Sequence, residues 1–270
     1  MPTWVIVGAS KGIGYQFLQT LSADASNTVI GLVRTVDPTK EKVKADGLNV
    51  HIVHGDLDDS ASLYAAAKEV ANIANGVVDY LIVNGVYASF PTLTLRAGDI
   101  VGAEKEELFI SETNHSMKTN VIGPVITINA FMPLLLKSQI KKVINITSAA
   151  ADLDIHVKCG LSDQLPYSMS KAALNLITAK FAAQYYSEGV KFLSLAPGYV
   201  MTFATDINNL PPDLGAVIAG FTEKFRAIKP DMEGPITSEE SVDLMLKVID
   251  GLTLEKSGQF LSQFGNHTWL

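Results

Sequence analysis

Apolar residues recur along the chain in seven short runs, rich in valine, isoleucine and leucine and separated by longer mixed stretches. Continuous apolar runs of about four to eight residues are typical of strands buried on both faces of a parallel sheet. The predicted strands are residues 4–7, 28–33, 50–53, 78–83, 142–147, 190–195 and 259–262.

The stretches between these runs have helical spacing or composition. The alternation predicts an α/β fold: one doubly wound domain over residues 1–270, with a seven-stranded parallel sheet flanked by helices. Ligands of such sheets bind beyond the carboxyl ends of the strands. The predicted helices lie near residues 12–23, 58–74, 104–137, 167–187 and 237–250.

Three segments interrupt this rhythm, and each follows the end of a predicted strand. They are residues 87–106, 149–166 and 199–235. Long loops at such positions often carry function, so these three are predicted to wall a substrate site.

Composition narrows the kind of ligand. The chain has 28 acidic and 21 basic side chains, a formal net charge of −7, so it offers no basic field for nucleic acid or an anionic membrane. The single cysteine, Cys159, excludes an intramolecular disulfide and a cysteine-based metal cluster. Without a secretion signal or an apolar segment of about 20 residues, a cytoplasmic protein acting on a small molecule is expected.

A phenol, an ammonium and a hydroxyl occur together in the second half of the chain. Tyr167 and Lys171 lie four residues apart on one predicted helix face, and Ser148 follows the fifth strand. A cation beside a phenol favours proton exchange with a carbonyl oxygen. Tyr64 and Lys68 repeat this spacing without a strand-end serine, so spacing alone does not identify the chemistry.

A glycine-rich turn follows the first strand and opens the first helix. Its glycines allow a pyrophosphate to approach the backbone at the positive helix end, although a plain structural turn would look the same. A lysine at that end opposes the macrodipole by about 0.3–1 kcal/mol, a penalty that a bound anion reverses and a solvated lysine avoids. The predicted contacts are Gly8, Ser10, Lys11, Gly12, Ile13 and Gly14.

The residue at the end of the second strand bears on the choice of dinucleotide. Arg34 stands where an NAD-dependent protein usually carries an acid, and with Lys11 it could hold a 2′-phosphate. NADPH is therefore expected over NADH, the alternative being that Arg34 is a plain surface cation. Asp56 and Leu57 could hold the adenine, or the acidic turn could simply start a helix.

In this order the residues resemble the short-chain dehydrogenase/reductase family of Rossmann-fold oxidoreductases, over nearly the whole chain. The resemblance implies that Tyr167 donates a proton, Ser148 orients the carbonyl, and Lys171 lowers the tyrosine pKa and binds the nicotinamide ribose. It also implies that Asn120 holds a water on the path to solvent. A strand-capping serine and a helix-capping or internally hydrogen-bonded asparagine are the alternatives. The implied catalytic set is Asn120, Ser148, Tyr167 and Lys171, and the further cofactor contacts are Asn84, Gly85, Pro197, Gly198, Val200 and Thr202.

Two positions depart from the family pattern near the expected cofactor. Val7 replaces the usual threonine whose hydroxyl braces the glycine turn, and Val86 replaces a glycine after Asn84 and Gly85. The first change leaves the bracing of the turn open. The second adds bulk beside the substrate without removing a reacting group.

The end of the chain, from Ser257 to Leu270, resembles the subgroup of C-factor-type proteins and fungal norsolorinic acid ketoreductase. That resemblance implies a bulky apolar carbonyl or alcohol substrate of the polyketide type. The resemblance to the family as a whole implies a homodimer or homotetramer packed through helices around 120–137 and 167–187. Burial of those faces within one subunit would look alike. Six aromatic residues could line the substrate site or form the core of a lid: Tyr87, Phe90, Tyr199, Phe203, Phe221 and Phe225.

Other chemistries find less support. No histidine accompanies a G-x-S-x-G serine, and no histidines or carboxylates show metal-ligand spacing, so neither a serine hydrolase nor a metal enzyme is expected. A dehydratase or epimerase of the same fold would need more room after Pro197. The remaining alternative is a sensor that binds NADPH without turnover.

Overall fold

The computed structural model describes residues 1–202 and 212–270 and contains one parallel seven-stranded sheet, in the order β3-β2-β1-β4-β5-β6-β7. Every predicted strand is present, with ends within two residues of those expected. The predicted fold class is therefore confirmed. The strands are β1 (Thr3–Val7), β2 (Thr28–Val33), β3 (His51–His54), β4 (Tyr80–Val83), β5 (Lys142–Ile146), β6 (Lys191–Ala196) and β7 (Phe260–Ser262).

Helices cover both faces of the sheet, in more pieces than the sequence pattern predicted. The predicted helix 104–137 is two helices joined by one π-helical turn, Lys118–Ile122. The helices in the described residues are α1 (Gly12–Ser22), α2 (Val36–Ala45), α3 (Ser60–Ile73), α4 (Phe90–Thr94), α5 (Ala103–Met117), α6 (Gly123–Leu135), α7 (Leu153–Cys159), α8 (Leu165–Gln184), α9 (Pro212–Phe225) and α10 (Ser238–Asp250).

Helix α2 was not predicted, because its pattern is weak: only Thr39 and Val43 are buried. Two other signals favour it. Parallel neighbours such as β2 and β3 need a crossover connection, usually a helix. Asp37 in its first turn and lysines in its last turn also complement the helix dipole.

The core lies in two layers on either side of the sheet. In β1, Val5 and Val7 face the layer built with α3, α6 and α8, whereas Trp4 and Ile6 face the layer built with α1 and α10. Burial of such a side chain contributes about 1.5–3 kcal/mol. The need for apolar side chains on both faces explains why the strands appear as unbroken apolar runs.

The strand order reverses between β1 and β4, which are neighbours on either side of the switch point. Crevices at such points are where open α/β sheets bind ligands. The carboxyl ends of β1, β4, β5 and β6 lead directly into the glycine turn, Asn84, Thr147 with Ser148, and Pro197.

Among the described residues, no helix is both long and apolar enough to cross a membrane.

Candidate active site

A cleft of about 720 Å³ opens at the carboxyl edge of the sheet. Every predicted catalytic and cofactor-binding residue lines it except Gly14 and Asn120. By contrast, Tyr64 and Lys68 face solvent on α3, where Tyr64 is 51% exposed, and neither lines the cleft. Tertiary position therefore separates the two copies of the tyrosine–lysine spacing.

The glycine turn forms a cradle that larger residues would fill. Gly8 and Gly12 adopt positive φ angles of 79° and 55°. A Cβ at Gly8 would lie 2.4 Å from the Gly85 Cα, and one at Gly14 would lie 2.2 Å from the Gly8 carbonyl oxygen. Helix α1 begins at Gly12 without a capping side chain or an acidic residue in its first turn, so its first N–H groups remain for an anion. These features fit a dinucleotide diphosphate.

The bracing that Val7 left open is supplied by β4 and the residues after it. The Val7 carbonyl accepts hydrogen bonds from the backbone N–H groups of Asn84 (3.0 Å) and Gly85 (2.9 Å). The Asn84 side-chain amide also donates to the Gly8 carbonyl at 3.0 Å. The turn is thus fixed to the switch point without a hydroxyl at position 7.

Three exposed cations border the cleft where the second strand ends: Lys11, Arg34 and Lys42. Lys42 belongs to α2 and was missed because that helix was missed. Its Nζ lies 3.6 Å above the centre of the Tyr15 ring, a cation–π contact that directs the side chain toward α1. This part of the cleft is suited to an additional phosphate.

The two interpretations of the acidic turn after β3 concern different residues, and the adenine contact stays a prediction. The Asp59 side chain caps α3 by accepting from the Ala61 N–H at 3.0 Å, whereas Asp56 lines the cleft. Leu57 packs closely against two glycines. A Cβ at Gly85 would lie 2.6 Å from the Leu57 Cδ1, and a Cβ at Gly123 would lie 2.6 Å from the Leu57 carbonyl oxygen. A carboxylate beside an apolar wall fits an adenine ring.

Lys171 is the most deeply buried cation of the cleft, at 2% exposed. Its Nζ donates to the Ile146 carbonyl at 2.9 Å, the one hydrogen bond found for this group among the described residues. Burial lowers the pKa of Lys171 to about 7. Because an ammonium has three donors, the group can take two further acceptors from the cleft side, as ribose hydroxyls would provide.

The pKa of the Tyr167 phenol is shifted in the direction opposite to the one expected from the sequence. Its pKa is raised, chiefly by burial, and hydrogen bonding with the Ser148 hydroxyl partly opposes the rise. Lys171 lies 5.8 Å from the centre of the Tyr167 ring, and burial also favours its neutral form. The expected lowering of the phenol pKa by Lys171 is therefore not realised by these residues alone.

Ser148 makes a capping contact at the end of β5, and its role in orienting a carbonyl stays a prediction. Its Oγ accepts from the Ala150 N–H at 3.1 Å, which caps the short 3₁₀ turn Ala149–Ala151. The hydroxyl proton is left to donate into the cleft. A serine placed by its own cap at the end of β5 is well fixed beside Tyr167.

Asn120 is fully buried in the π-helical turn. Its Oδ1 accepts from the Tyr87 N–H (2.7 Å), and its Nδ2 donates to the Tyr87 carbonyl and the Ser170 hydroxyl (both 3.0 Å). The side chain thus ties the segment after β4 to α8. Single π turns are frequent at functional sites, and the proposed water-holding role of Asn120 stays a prediction.

The far end of the cleft is apolar. Ile155, Leu161, Val217 and Phe221 line it, from the segment after β5 and from α9. The same residues pack with Trp269 in an apolar cluster separate from the two layers of the main core. They therefore form part of this cluster and also line the cleft.

The six predicted aromatic residues divide into three groups. Tyr87, Tyr199, Phe221 and Phe225 line the cleft. Phe90 does not; it is 50% exposed, because α4 turns it outward, and its prediction was wrong. Phe203 lies outside the described residues.

Within residues 1–202 and 212–270, no three His, Cys, Asp or Glu side chains converge as metal ligands would.

Comparisons with known proteins agree with this geometry. The model of the short chain dehydrogenase family matches residues 2–210. A short-chain dehydrogenase/reductase of an Arthrinium species, atnB, is 38% identical over the full length of both chains. The short chain dehydrogenase virK of Hypocrea virens is also 38% identical, again over all of both chains.

Solved structures give the same fold. A carbonyl reductase from chicken fatty liver, determined with bound NADPH, superposes with a TM-score of 0.77 at 26% identity, over 98% of this chain and 93% of that one. The carbonyl reductase Sniffer of Drosophila melanogaster has a TM-score of 0.76 at 19% identity, over 98% of both chains. The second likeness concerns the fold alone.

Proposed function

The chain belongs to the short-chain dehydrogenase family, and we propose that it is an NADPH-dependent reductase of bulky apolar carbonyl compounds. The observation that carries the proposal is the convergence of Ser148, Tyr167 and Lys171 in the cleft that also contains the glycine turn. One cleft thus combines a proton donor (Tyr167), a second hydrogen-bond donor (Ser148) and a buried amine (Lys171) with a turn suited to a dinucleotide.

The cofactor would lie along the strand ends. Its diphosphate would meet the first N–H groups of α1, its adenine would lie between Asp56 and Leu57, and its nicotinamide ribose would meet Lys171. Thr202, beside Gly12, would steady the carboxamide of the nicotinamide. Bound NADPH supplies the hydride for a carbonyl carbon.

The residues of the chain would supply the proton and hold the oxygen. Ser148 would hydrogen-bond the carbonyl oxygen, and Tyr167 would donate its phenolic proton as the alkoxide forms, so that the C=O group gains one hydride and one proton. The raised pKa of Tyr167 keeps the phenol protonated at neutral pH, the form that a reduction needs. Lys171 with its ribose partners would then lower the phenol pKa and help to restore the proton.

The preference for NADPH rests on Lys11, Arg34 and Lys42. A 2′-phosphate placed beside β2 would meet all three cations, and Arg34 offers a planar fork suited to phosphate oxygens. No acidic residue occupies position 34, where one would bind the ribose hydroxyl of NADH.

The walls of the cleft support the proposed substrate class. Apolar side chains from the segment after β5 and from α9 enclose the space beside Tyr167, and the cations lie at the opposite end. This distribution suits a large ring-containing ketone, such as a polyketide-type metabolite, better than a small charged keto acid.

The test is absorbance at the nicotinamide band, with NADPH and NADH compared against a panel of aromatic and aliphatic ketones. Tyr167→Phe should reduce turnover by about 10²–10⁴-fold, the range of acid–base catalysis, while NADPH still binds. Tyr64→Phe, which removes the hydroxyl of the solvent-facing copy, should change nothing. Tight NADPH binding without turnover of any ketone would favour the sensor alternative and overturn the reductase proposal.

A further inference from the structure

The apolar end of the cleft contains few polar side chains, and most of them are already bonded within the protein. The Tyr199 hydroxyl donates to the Ile218 carbonyl at 2.9 Å. The Tyr87 hydroxyl donates to the Glu112 carboxylate at 3.1 Å. Each of these hydroxyls therefore has its proton engaged within the protein and can offer a substrate only its oxygen, as an acceptor.

Gln164 is the exception. It lines the cleft and is half-buried. Its carboxamide forms no hydrogen bond with another described residue, and neither of its polar atoms is sealed from the cleft as an orphaned buried atom. Since Ser148 and Tyr167 are assigned to the reaction, Gln164 is a cleft-lining side chain whose donors and acceptor no other described residue engages.

The local backbone gives no structural reason for a glutamine at this position. Gln164 precedes α8 with φ 64° and ψ 27°, a left-handed conformation that is unfavourable for a residue other than glycine. Glycine or asparagine would adopt it more easily. Its side chain does not cap the helix, a role for which serine, threonine, aspartate or asparagine is preferred.

The position is nevertheless firmly held. The Gln164 carbonyl accepts from the Ser168 N–H at 2.8 Å, and the Leu165 N–H donates to the Leu95 carbonyl at 3.1 Å. On the other side, Asp163 forms an ion pair with Lys224 of α9. The backbone is thus fixed at the residue that precedes α8, three positions before Tyr167, and both side chains line the same cleft.

We propose that Gln164 determines specificity by hydrogen-bonding an oxygen substituent of the substrate, a hydroxyl or second carbonyl, on the ring adjoining the carbonyl that is reduced. A carboxamide can donate to either group and accept from a hydroxyl. The preferred substrates are then oxygenated aromatic ketones rather than plain hydrocarbon ketones. This inference rests on the proposed reductase function.

The energetic reason is that an apolar substrate covers the carboxamide without satisfying it. Sites built to hydrogen-bond a substrate group discriminate strongly against analogues that lack the group, because the protein's polar atoms are left unpaired. For a half-buried amide we expect a preference of about 10- to 100-fold in kcat/KM.

The experiment compares 1-tetralone with its monohydroxylated analogues in the wild type and in Gln164→Leu. The wild type should prefer one hydroxytetralone, and Gln164→Leu should lose that preference because its kcat/KM falls for the hydroxytetralone and stays equal or rises for 1-tetralone. Equal loss for both ketones would indicate a structural role, and an unchanged preference would exclude Gln164; either result overturns the inference.

Two further measurements keep the result interpretable. Gln164→Gly removes the carboxamide but relieves the backbone, so it should show the same loss of preference at equal or higher thermal stability. Binding of the ketones to the NADP⁺-loaded protein, followed by calorimetry, requires no turnover. Tighter binding of the hydroxytetralone to wild type than to Gln164→Leu would support the inference even if reduction failed, and equal binding would overturn it.

Discussion

Burial of Lys171 should make the stability of the cofactor-free protein depend on pH. The folded-state pKa is about 7, against an ordinary value of 10.5. Between these two pH values the unfolded chain holds a proton at this position that the folded protein lacks, so stability rises as pH increases through the window. At about 1.36 kcal/mol per pKa unit, the whole effect is about 5 kcal/mol.

Lys171→Met should remove this pH dependence. At pH 7, Met avoids the cost of burying a charge but loses the bond to the Ile146 carbonyl, worth about 1 kcal/mol. We therefore expect the variant to be more stable than wild type by up to about 4 kcal/mol near pH 7, an advantage that disappears by about pH 10.

The assay is urea unfolding without cofactor at pH 7, 8, 9 and 10, read as the difference between variant and wild type. Taking the difference cancels the titration of other groups, such as Lys142 and Lys191, whose pKa values burial also lowers. Lys68→Met is the matched control, because Lys68 has the same spacing from a tyrosine but lies in solvent. Parallel stability curves for wild type and Lys171→Met would refute the reasoning.

Three further predictions concern the cofactor, the glycine turn and assembly. Lys42→Glu should raise the KM for NADPH by about fivefold or more and leave that for NADH nearly unchanged in steady-state assays, whereas Lys44→Glu, on the same helix but away from the cleft, should change neither. Gly14→Ala should lower the free energy of unfolding by about 1–3 kcal/mol or more and abolish NADPH binding, because its Cβ would lie 2.2 Å from the Gly8 carbonyl; Gly98→Ala, where a Cβ meets nothing within 4 Å, should do neither. If the chain is a homo-oligomer packed through α8, Leu176→Glu, at a position 62% exposed in the single chain, should lower the mass measured by light scattering, and an unchanged oligomeric mass would exclude that face.

Much of the fold could be predicted because its causes are local. Strands buried on both faces need unbroken apolar runs, so all seven were recognisable. Helix α2 was not, because it exposes most of its surface and is required mainly by the crossover between β2 and β3. The π-helical turn at Lys118–Ile122 also escaped prediction, since nothing in a helical pattern marks one extra residue in a turn.

Part of the site could be predicted for the same reason. The residues that line the cleft directly follow strand ends or begin helices, and parallel strands bring those ends to one edge. Lys42 and Gln164 could not be found in this way. Lys42 borders the cleft because its side chain lies over the Tyr15 ring of α1. Gln164 borders the cleft because its own left-handed backbone turns the chain into α8.

The sequence by itself therefore determined which chemical groups follow the strands and in what order along the chain: a glycine turn, then an asparagine, a serine, and a tyrosine with a lysine. Spacing could not choose between the two tyrosine–lysine pairs, although the strand-end serine and the order of the motifs favoured Tyr167 with Lys171, and no pattern could set the exposure or the protonation of either pair. Those outcomes depend on burial, which is a property of the packed molecule. The tertiary structure exposed Tyr64 and Lys68 to water, and it enclosed Tyr167 and Lys171 in a cleft where loss of water favours the neutral form of both.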